Sequence, residues 1–258
     1  MNILITGSKG LIGSELVKIL KEEKISFQRV TRPQKKNFFE FNNKLILKKK
    51  INTLIHLAWG KLDDYNSIDH IKTFPQIHFE FINNLIKLGI RRVFVAGTCF
   101  EYGNKIGKVD ESSEINPNSN YAVGKNKLYK KIKALQKKKR FDFIWGRIFY
   151  VYGKSKFKKN IYNQIVLNKK KKIYVSNPNT KIDYISAKDV AKKIYVIIKS
   201  KKSNDIVNIC SGKPKFLKTY IKNWNKKSKN LIIYINNNSK NQCKGFWGSN
   251  LKYKEMIK

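Results

Sequence analysis

The chain carries NILITGSKGLIG at residues 2–13, an apolar run that meets three glycines spaced three apart and continues into a helical pattern. A strand that turns sharply into a helix needs parallel neighbours reached through helical crossovers, and this restricts the folds open to the chain. The rest of the sequence supplies such neighbours. Strand-like runs fall at 2–6, 25–31, 52–58, 91–97 and 141–149, with later strands at 182–185 and 205–209. Helical patterns fall at 11–23, 68–88 (interrupted at Pro75), 121–137, 187–199 and 214–226. This alternation predicts an α/β fold: a doubly wound parallel sheet with helices on both faces. No Gly/Ser/Pro-rich linker divides the chain, so a second unit must be interleaved with the first.

The glycine turn has the logic of a dinucleotide loop. Gly7 permits the tight turn, Gly10 lets backbone approach a pyrophosphate, and Gly13 lets the helix pack against the strand. The N–H groups near Leu11 and Ile12 face the phosphates at the positive end of the helix. An acidic residue at the end of the second strand would bond the ribose hydroxyls of NAD. Here that place holds Thr31 and Arg32, followed by Pro33, and Lys9 lies inside the loop. Two cations beside the ribose suit a 2′-phosphate, which favours NADP(H) over NAD(H).

Composition excludes more than it assigns. Lys and Arg number 56 against 17 Asp and Glu, a formal net charge of +39. Such a balance would suit a nucleic acid or an anionic membrane. However, the basic residues are mostly Lys and are spread along the chain. Their longest runs, Lys48–Lys50, Lys137–Arg140 and Lys169–Lys172, fall at expected helix ends or loops. The charge is therefore read as compositional drift, with no specific nucleic acid as partner and only weak polyanion binding at low salt. The three cysteines, Cys99, Cys210 and Cys243, are far apart and odd in number, and the three histidines suggest no cluster. No metal is expected, and the pattern fits a reduced cytoplasmic protein. The first strand starts at Asn2, which leaves no room for a signal peptide, and no apolar run approaches the roughly 20 residues of a membrane span.

NYAVGK at 120–125 puts Tyr121 and Lys125 four residues apart. Six of the 13 tyrosines have a Lys at that spacing, so spacing alone cannot select one. Motifs along the chain do. It resembles the extended short-chain dehydrogenase/reductase family, also called the NAD-dependent epimerase/dehydratase family. TGSKGLIG is similar to the family's cofactor fingerprint. HLAWG (56–60) resembles its H-L-A-A turn, which places Leu57 and Ala58 among the cofactor-binding residues. AGTCFEYG (96–103) resembles S-S-x-x-V-Y-G, with Thr98 at the catalytic Ser/Thr position. NYAVGK resembles Y-x-x-x-K, GRIFYVYG (146–153) resembles R-x-F-N-V-Y-G, and IDYISAKDVA (182–191) and VNICSGK (207–213) resemble the later segments. Tyr121 follows a turn-prone NPNSN and starts a helix, as the family's tyrosine does.

The resemblance implies a Rossmann-type sheet over 1–153 plus about 181–210. It also implies a small interleaved substrate lobe from about 154–180 and 211–258. The implied catalytic residues are Thr98, Tyr121 and Lys125, with Tyr121 and Lys125 also at the cofactor and Lys125 binding the nicotinamide ribose. A neighbouring ammonium and an oxidised nicotinamide favour a phenolate at Tyr121, which exchanges a proton with a sugar hydroxyl or ketone. Family dehydratases carry Asp-Glu after the catalytic Thr, where this chain has Cys99 and Phe100, so 4,6-dehydration is not expected. The Cys used for 3,5-epimerisation would fall at Phe100, and Cys99 is read as a packing thiol. Reduction of a 4-keto-6-deoxyhexose nucleotide is preferred. The branch resembled is that of dTDP-6-deoxyhexose 4-ketoreductases. A 4-epimerase with retained NAD and a non-catalytic dinucleotide binder are the alternatives. Trp59, where the family has a small Ala, Tyr150, where it has Asn, and Trp247 are candidate substrate residues, each with ordinary packing as its alternative. Glu101 replaces an apolar residue and receives no role. A homodimer through the helices near 68–88 and 121–137 is the family's expectation.

Overall fold

The computed structural model describes residues 1–30, 46, 48–154, 160–168, 171–200, 206–226, 228–235 and 245–258. Its centre is a six-stranded sheet. The strands are β1 (Ile3–Thr6), β2 (Phe27–Val30), β3 (Thr53–His56), β4 (Arg92–Thr98), β6 (Asp142–Ile148) and β11 (Ile206–Ile209); β5 (Gly107–Val109) and β7 (Tyr150–Tyr152) lie outside it, as do strands β8 to β10. The order across the sheet is β11-β6-β4-β3-β1-β2, and every neighbouring pair is parallel. The chain reverses its direction of travel between β1 and β3, and ligands of such sheets sit at that switch, outside the carboxyl ends of the strands.

Apolar residues on both sides of each strand explain why these runs are near-continuous rather than alternating. Ile3, Ile5, Phe94 and Ile144 face α1 (Leu11–Glu22), which contributes Leu16 and Leu20, within one buried cluster. Leu4, Leu54, Val93, Phe143 and Trp145 form the other cluster. Its helical side comes from Phe81 and Leu85 on one helix and Leu128 and Ile132 on the next. The stretch expected at 68–88 is two helices, α2 (Asp69–Lys72) and α3 (Phe74–Lys87). The break is at Thr73 rather than at Pro75, because a proline in the first turn of a helix needs no N–H partner. The next helix is α4 (Asn120–Lys138), followed by α5 (Ile161–Leu167) and α6 (Ala187–Lys199).

The expected strand at 182–185 is not part of the sheet. It divides into β9 (Lys181–Ile182) and β10 (Tyr184–Ser186), and β10 pairs in parallel with β7. The helix expected at 214–226 starts later, as α7 (Leu217–Asn225), after β12 (Lys215–Phe216). A parallel pair that sequence periodicity missed, β8 (Lys172–Ser176) with β13 (Leu231–Ile235), packs with α5 and α7 around Ile165, Ile173, Val175 and Ile221. The last elements are β14 (Phe246–Gly248), beside β5, and α8 (Leu251–Met256). Among the described residues no helix is long and apolar enough to cross a membrane.

Candidate active site

The glycine turn sits at the carboxyl end of β1. Gly7 has φ +70°, and a Cβ there would lie 2.8 Å from the Ala58 nitrogen. Gly10 N donates to Gly7 O at 2.9 Å, which closes the turn. A Cβ on Gly13 would run into Gly7 O, so only glycine lets α1 start this close to the strand. Gly10 is the N-cap of α1; no side chain caps it and its first turn carries no acid. The first backbone N–H groups of the helix therefore face outward with their dipole unopposed. These features fit a dinucleotide pyrophosphate. Gly7, Lys9, Gly10, Leu11, Ile12, Gly13, Leu57 and Ala58 all line one cavity of about 760 Å³. Val30, at the end of β2, lines it too. Arg32 lies outside the described residues.

The same cavity reaches Thr98, Tyr121 and Lys125. Thr98 ends β4 and caps the 3₁₀ turn Cys99–Tyr102, accepting from Phe100 N at 3.3 Å. Ser119 caps α4 by accepting from Ala122 N, and Tyr121 N donates to Tyr65 O at 2.9 Å. This sets the Tyr121 ring stacked on Tyr65 with centroids 4.8 Å apart, and brings its hydroxyl within electrostatic reach of the Thr98 side chain. One turn later Lys125 Nζ donates to Ala96 O at 2.7 Å. Gly124 makes the packing of α4 on α2 feasible, since a Cβ there would collide with the His70 carbonyl.

Burial pushes the Tyr121 phenol well above its ordinary range, with Tyr65 adding to the effect, while Thr98 opposes it. Burial also lowers Lys125 to about 7, with Glu101 opposing. Lys125 Nζ lies 5.9 Å from the Tyr121 ring centroid. In the protein alone, desolvation favours the neutral phenol at Tyr121.

Glu101 has a clear structural place that its sequence context did not reveal. It is fully buried. Its carboxylate accepts from Thr98 N at 2.9 Å, from Trp145 Nε1 at 3.0 Å and from Arg147 Nε at 3.0 Å. Gly97 provides the room, because a Cβ there would strike the Trp145 indole and the Glu101 carboxylate. The charge thus fixes the turn that carries Thr98. The nearest sequence signal was an acid among apolar residues, but its partner Arg147 lies 46 positions away. Cys99 is buried, and burial followed by Glu101 pushes its thiol well up, so it is an inert packing group.

The three histidines, which showed no cluster in sequence, converge behind the site. Thr6 Oγ1 pairs with His56 Nδ1 at 2.9 Å, and His56 Nε2 with His78 Nδ1 at 2.6 Å. Trp59 Nε1 donates to His70 Nδ1 at 2.9 Å. Burial lowers His56 to about 3 and holds His78 well below its ordinary value. Among the described residues no group of three or more His, Cys, Asp or Glu could hold a metal ion.

Of the candidate substrate residues, Trp59 and Tyr150 line the cavity and Trp247 does not. Trp247 lies on β14 with its ring under Lys181 Nζ at 4.6 Å, because β14 pairs with β5 on the far side of the Thr98 turn. The cavity wall beside Tyr121 is instead aromatic. Phe100 is edge-on to Tyr121 and to Tyr150, at 6.5 and 5.6 Å, and 5.6 Å from Tyr65. Tyr184 stands behind Tyr150 at 5.7 Å. Tyr65 and Tyr184 were not singled out in the sequence, since the loop of Tyr65 and the strand β10 of Tyr184 reach the site only through tertiary packing.

A family model for the NAD dependent epimerase/dehydratase family matches residues 3–210. The chain is 29% identical over 251 residues to dTDP-6-deoxy-L-talose 4-dehydrogenase (NAD(+)) of Aggregatibacter actinomycetemcomitans, covering 87% of this chain and 89% of that one. The crystal structure of UDP-N-acetylglucosamine 4-epimerase from Bacillus cereus is similar in fold, with a TM-score of 0.81 at 19% identity, covering 100% of this chain and 90% of that one. UDP-glucuronic acid 4-epimerase from Bacillus cereus, in complex with NAD, gives a TM-score of 0.78 at 17% identity, with coverage of 100% and 90%. From the glycine turn to the strand ending at Ile209, the chain belongs to the NAD dependent epimerase/dehydratase family.

Proposed function

We propose that the protein is an NAD(P)-dependent oxidoreductase of nucleotide-activated sugars that reduces the 4-keto group of a 6-deoxyhexose nucleotide. The observation that supports this most is that Thr98, Tyr121 and Lys125 line the same cavity as the glycine turn. A bound nicotinamide would supply the hydride. Thr98 and Tyr121 converge on one oxygen, so both hydroxyls can hold the substrate carbonyl there. Tyr121, kept protonated by burial, gives its proton to that oxygen as it becomes an alcohol, and takes it back in the oxidative direction. Phe100 has no acid or base to offer, and the Cys99 thiol is held neutral, which speaks against dehydration and 3,5-epimerisation.

The wall of Tyr65, Phe100 and Tyr150 offers ring faces and edges, which suit a C6 methyl and the apolar face of a sugar. The Aggregatibacter relative is named for a 6-deoxyhexose nucleotide and for dehydrogenation at C4, the reverse of the same exchange. NADP(H) is the proposed cofactor, on the strength of Lys9 in the cavity wall and of Arg32, although the relative's name carries NAD(+). We assign residues 1–153 and about 181–210 to cofactor binding. The lobe from about 154–180 and 211–258 would cover the sugar.

The test is NADPH and NADH oxidation against a panel of 4-keto-6-deoxyhexose nucleotides. Tyr121→Phe should lose about 10²–10⁴-fold in turnover with cofactor affinity nearly unchanged. Undiminished turnover in that variant would overturn the assignment. Interconversion of C4 epimers without net cofactor consumption would replace the reductase by a 4-epimerase.

A further inference from the structure

We infer that Trp59, anchored by His70 and backed by His78, is a positioning residue of the reaction centre: its indole is the wall that holds the Lys125 ammonium against Ala96. The inference rests on the assignment of Tyr121 and Lys125 to catalysis.

Trp59 stands three residues beyond β3, at a cavity wall. Its ring stacks on His78 with centroids 4.5 Å apart and planes 21° apart. Phe74 meets it edge-on at 5.7 Å. Rotation within that stack is blocked by the bond from Nε1 to His70 Nδ1. His70 is fully buried, and its Nε2 lies 2.9 Å from Asp64 O. A neutral ring that accepts from the indole and donates to the carbonyl satisfies both contacts. His70 thus ties the indole to the loop after Trp59, and Gly124 brings that unit against α4.

The indole does two things for Lys125. Its ring centroid is 4.0 Å from Nζ, a distance at which a desolvated cation is attracted to the ring. One ammonium N–H goes to Ala96 O, and a ring face holds the charge without capturing the others. The indole also shields Nζ from water. The same side chain meets Tyr121 edge-on at 6.3 Å, so one rigid body borders both residues. A small residue would leave Lys125 hydrated and free to change rotamer.

The titratable groups facing Lys125 are His56 at the end of β3, His78 on α3, Glu101 on the Thr98 turn and Tyr121 on its own helix; His70 lies behind the indole. His56 and His78 are held neutral near pH 7, and Glu101 favours the ammonium. Removing the indole changes none of these charges and admits water; because burial is the leading cause of the lowered pKa, hydration outweighs the lost attraction of the ring and should raise the Lys125 midpoint.

The test follows ¹³Cε-labelled lysine in the cofactor-free protein by NMR as pH is varied. One resonance, missing in Lys125→Met, should titrate near neutral pH. In Trp59→Ala its midpoint should rise by about one unit or more as water reaches the ammonium, and in Trp59→Phe it should stay near the wild-type value. In assays with NADPH and a 4-keto-6-deoxyhexose nucleotide, Trp59→Ala should lose about tenfold or more in kcat with a smaller change in cofactor KM, and Trp59→Phe should recover most of it. If Trp59→Ala does not fold, Trp59→Val, which also opens the space over Nζ to water, carries the same test. An unmoved or lowered midpoint overturns the role of Trp59. Retained turnover in Tyr121→Phe with a raised midpoint in Trp59→Ala would remove the catalytic assignment instead, leaving the indole–ammonium contact established.

Discussion

Replacing Lys125 by Met should stabilise the protein at neutral pH, and the gain should fade as pH rises. Lys125 is 2% exposed, and burial takes it from 10.5 to about 7. Near pH 7 the unfolded chain holds this proton fully and the folded protein holds it about half the time. The unfolded state therefore binds more protons, and the contribution of Lys125 to stability improves with pH. The penalty is complete below about pH 7 and gone above about 10.5. At about 1.4 kcal/mol per unit, the shift of about 3.5 units is worth roughly 5 kcal/mol in acid and roughly 4 kcal/mol at pH 7. Met removes that penalty but leaves Ala96 O without its donor, at about 1–3 kcal/mol. The variant should thus gain about 1–3 kcal/mol at pH 7, and the gap should narrow by about 3 kcal/mol by pH 9.5. Urea unfolding of both proteins in matched buffers measures it. Lys193, also lowered by burial, is common to both and cancels. A gap that is constant from pH 7 to 9.5 would refute the claim that this amine is desolvated.

Glu101→Gln should destabilise the fold by about 3–5 kcal/mol, because it leaves the Arg147 charge buried without its partner; urea midpoints would show it, and a change under 1 kcal/mol would contradict it. Gly13→Ala should abolish dinucleotide binding measured by calorimetry, since its Cβ meets Gly7 O rather than a yielding side chain. Lys9→Glu should lower kcat/KM for NADPH about tenfold relative to NADH through charge reversal at the adenosine end; an unchanged ratio would exclude Lys9 from the 2′-phosphate.

The glycine turn and the strand runs of the sheet were legible in the sequence because each is local, while the Tyr121–Lys125 pair was picked from six such spacings through the resemblance of its surrounding motifs. Glycine spacing, strand runs buried on both faces and an i, i+4 pair all act within a dozen residues. Element limits mostly differed by one or two residues. The larger misses had tertiary causes. Residues 182–185 read as a sheet strand, but the chain there divides, and Tyr184–Ser186 pairs with β7 outside the sheet. Trp247 resembled a pocket residue, but its strand pairs with β5 and turns the ring toward Lys181.

Sequence alone determined that this chain folds as a Rossmann-type α/β protein with a dinucleotide turn and a tyrosine–lysine pair on one helix face. The turn and the strand–helix alternation follow from backbone sterics and periodicity, whereas that pair was chosen among six by the resemblance of the surrounding motifs. Only the tertiary structure decided the state of that pair. Glu101 with Arg147, Trp59 with His70, and Tyr65 with Tyr121 meet across separations of 46, 11 and 56 residues. Such contacts set desolvation, and desolvation raises the phenol and lowers the lysine, which residue spacing cannot encode.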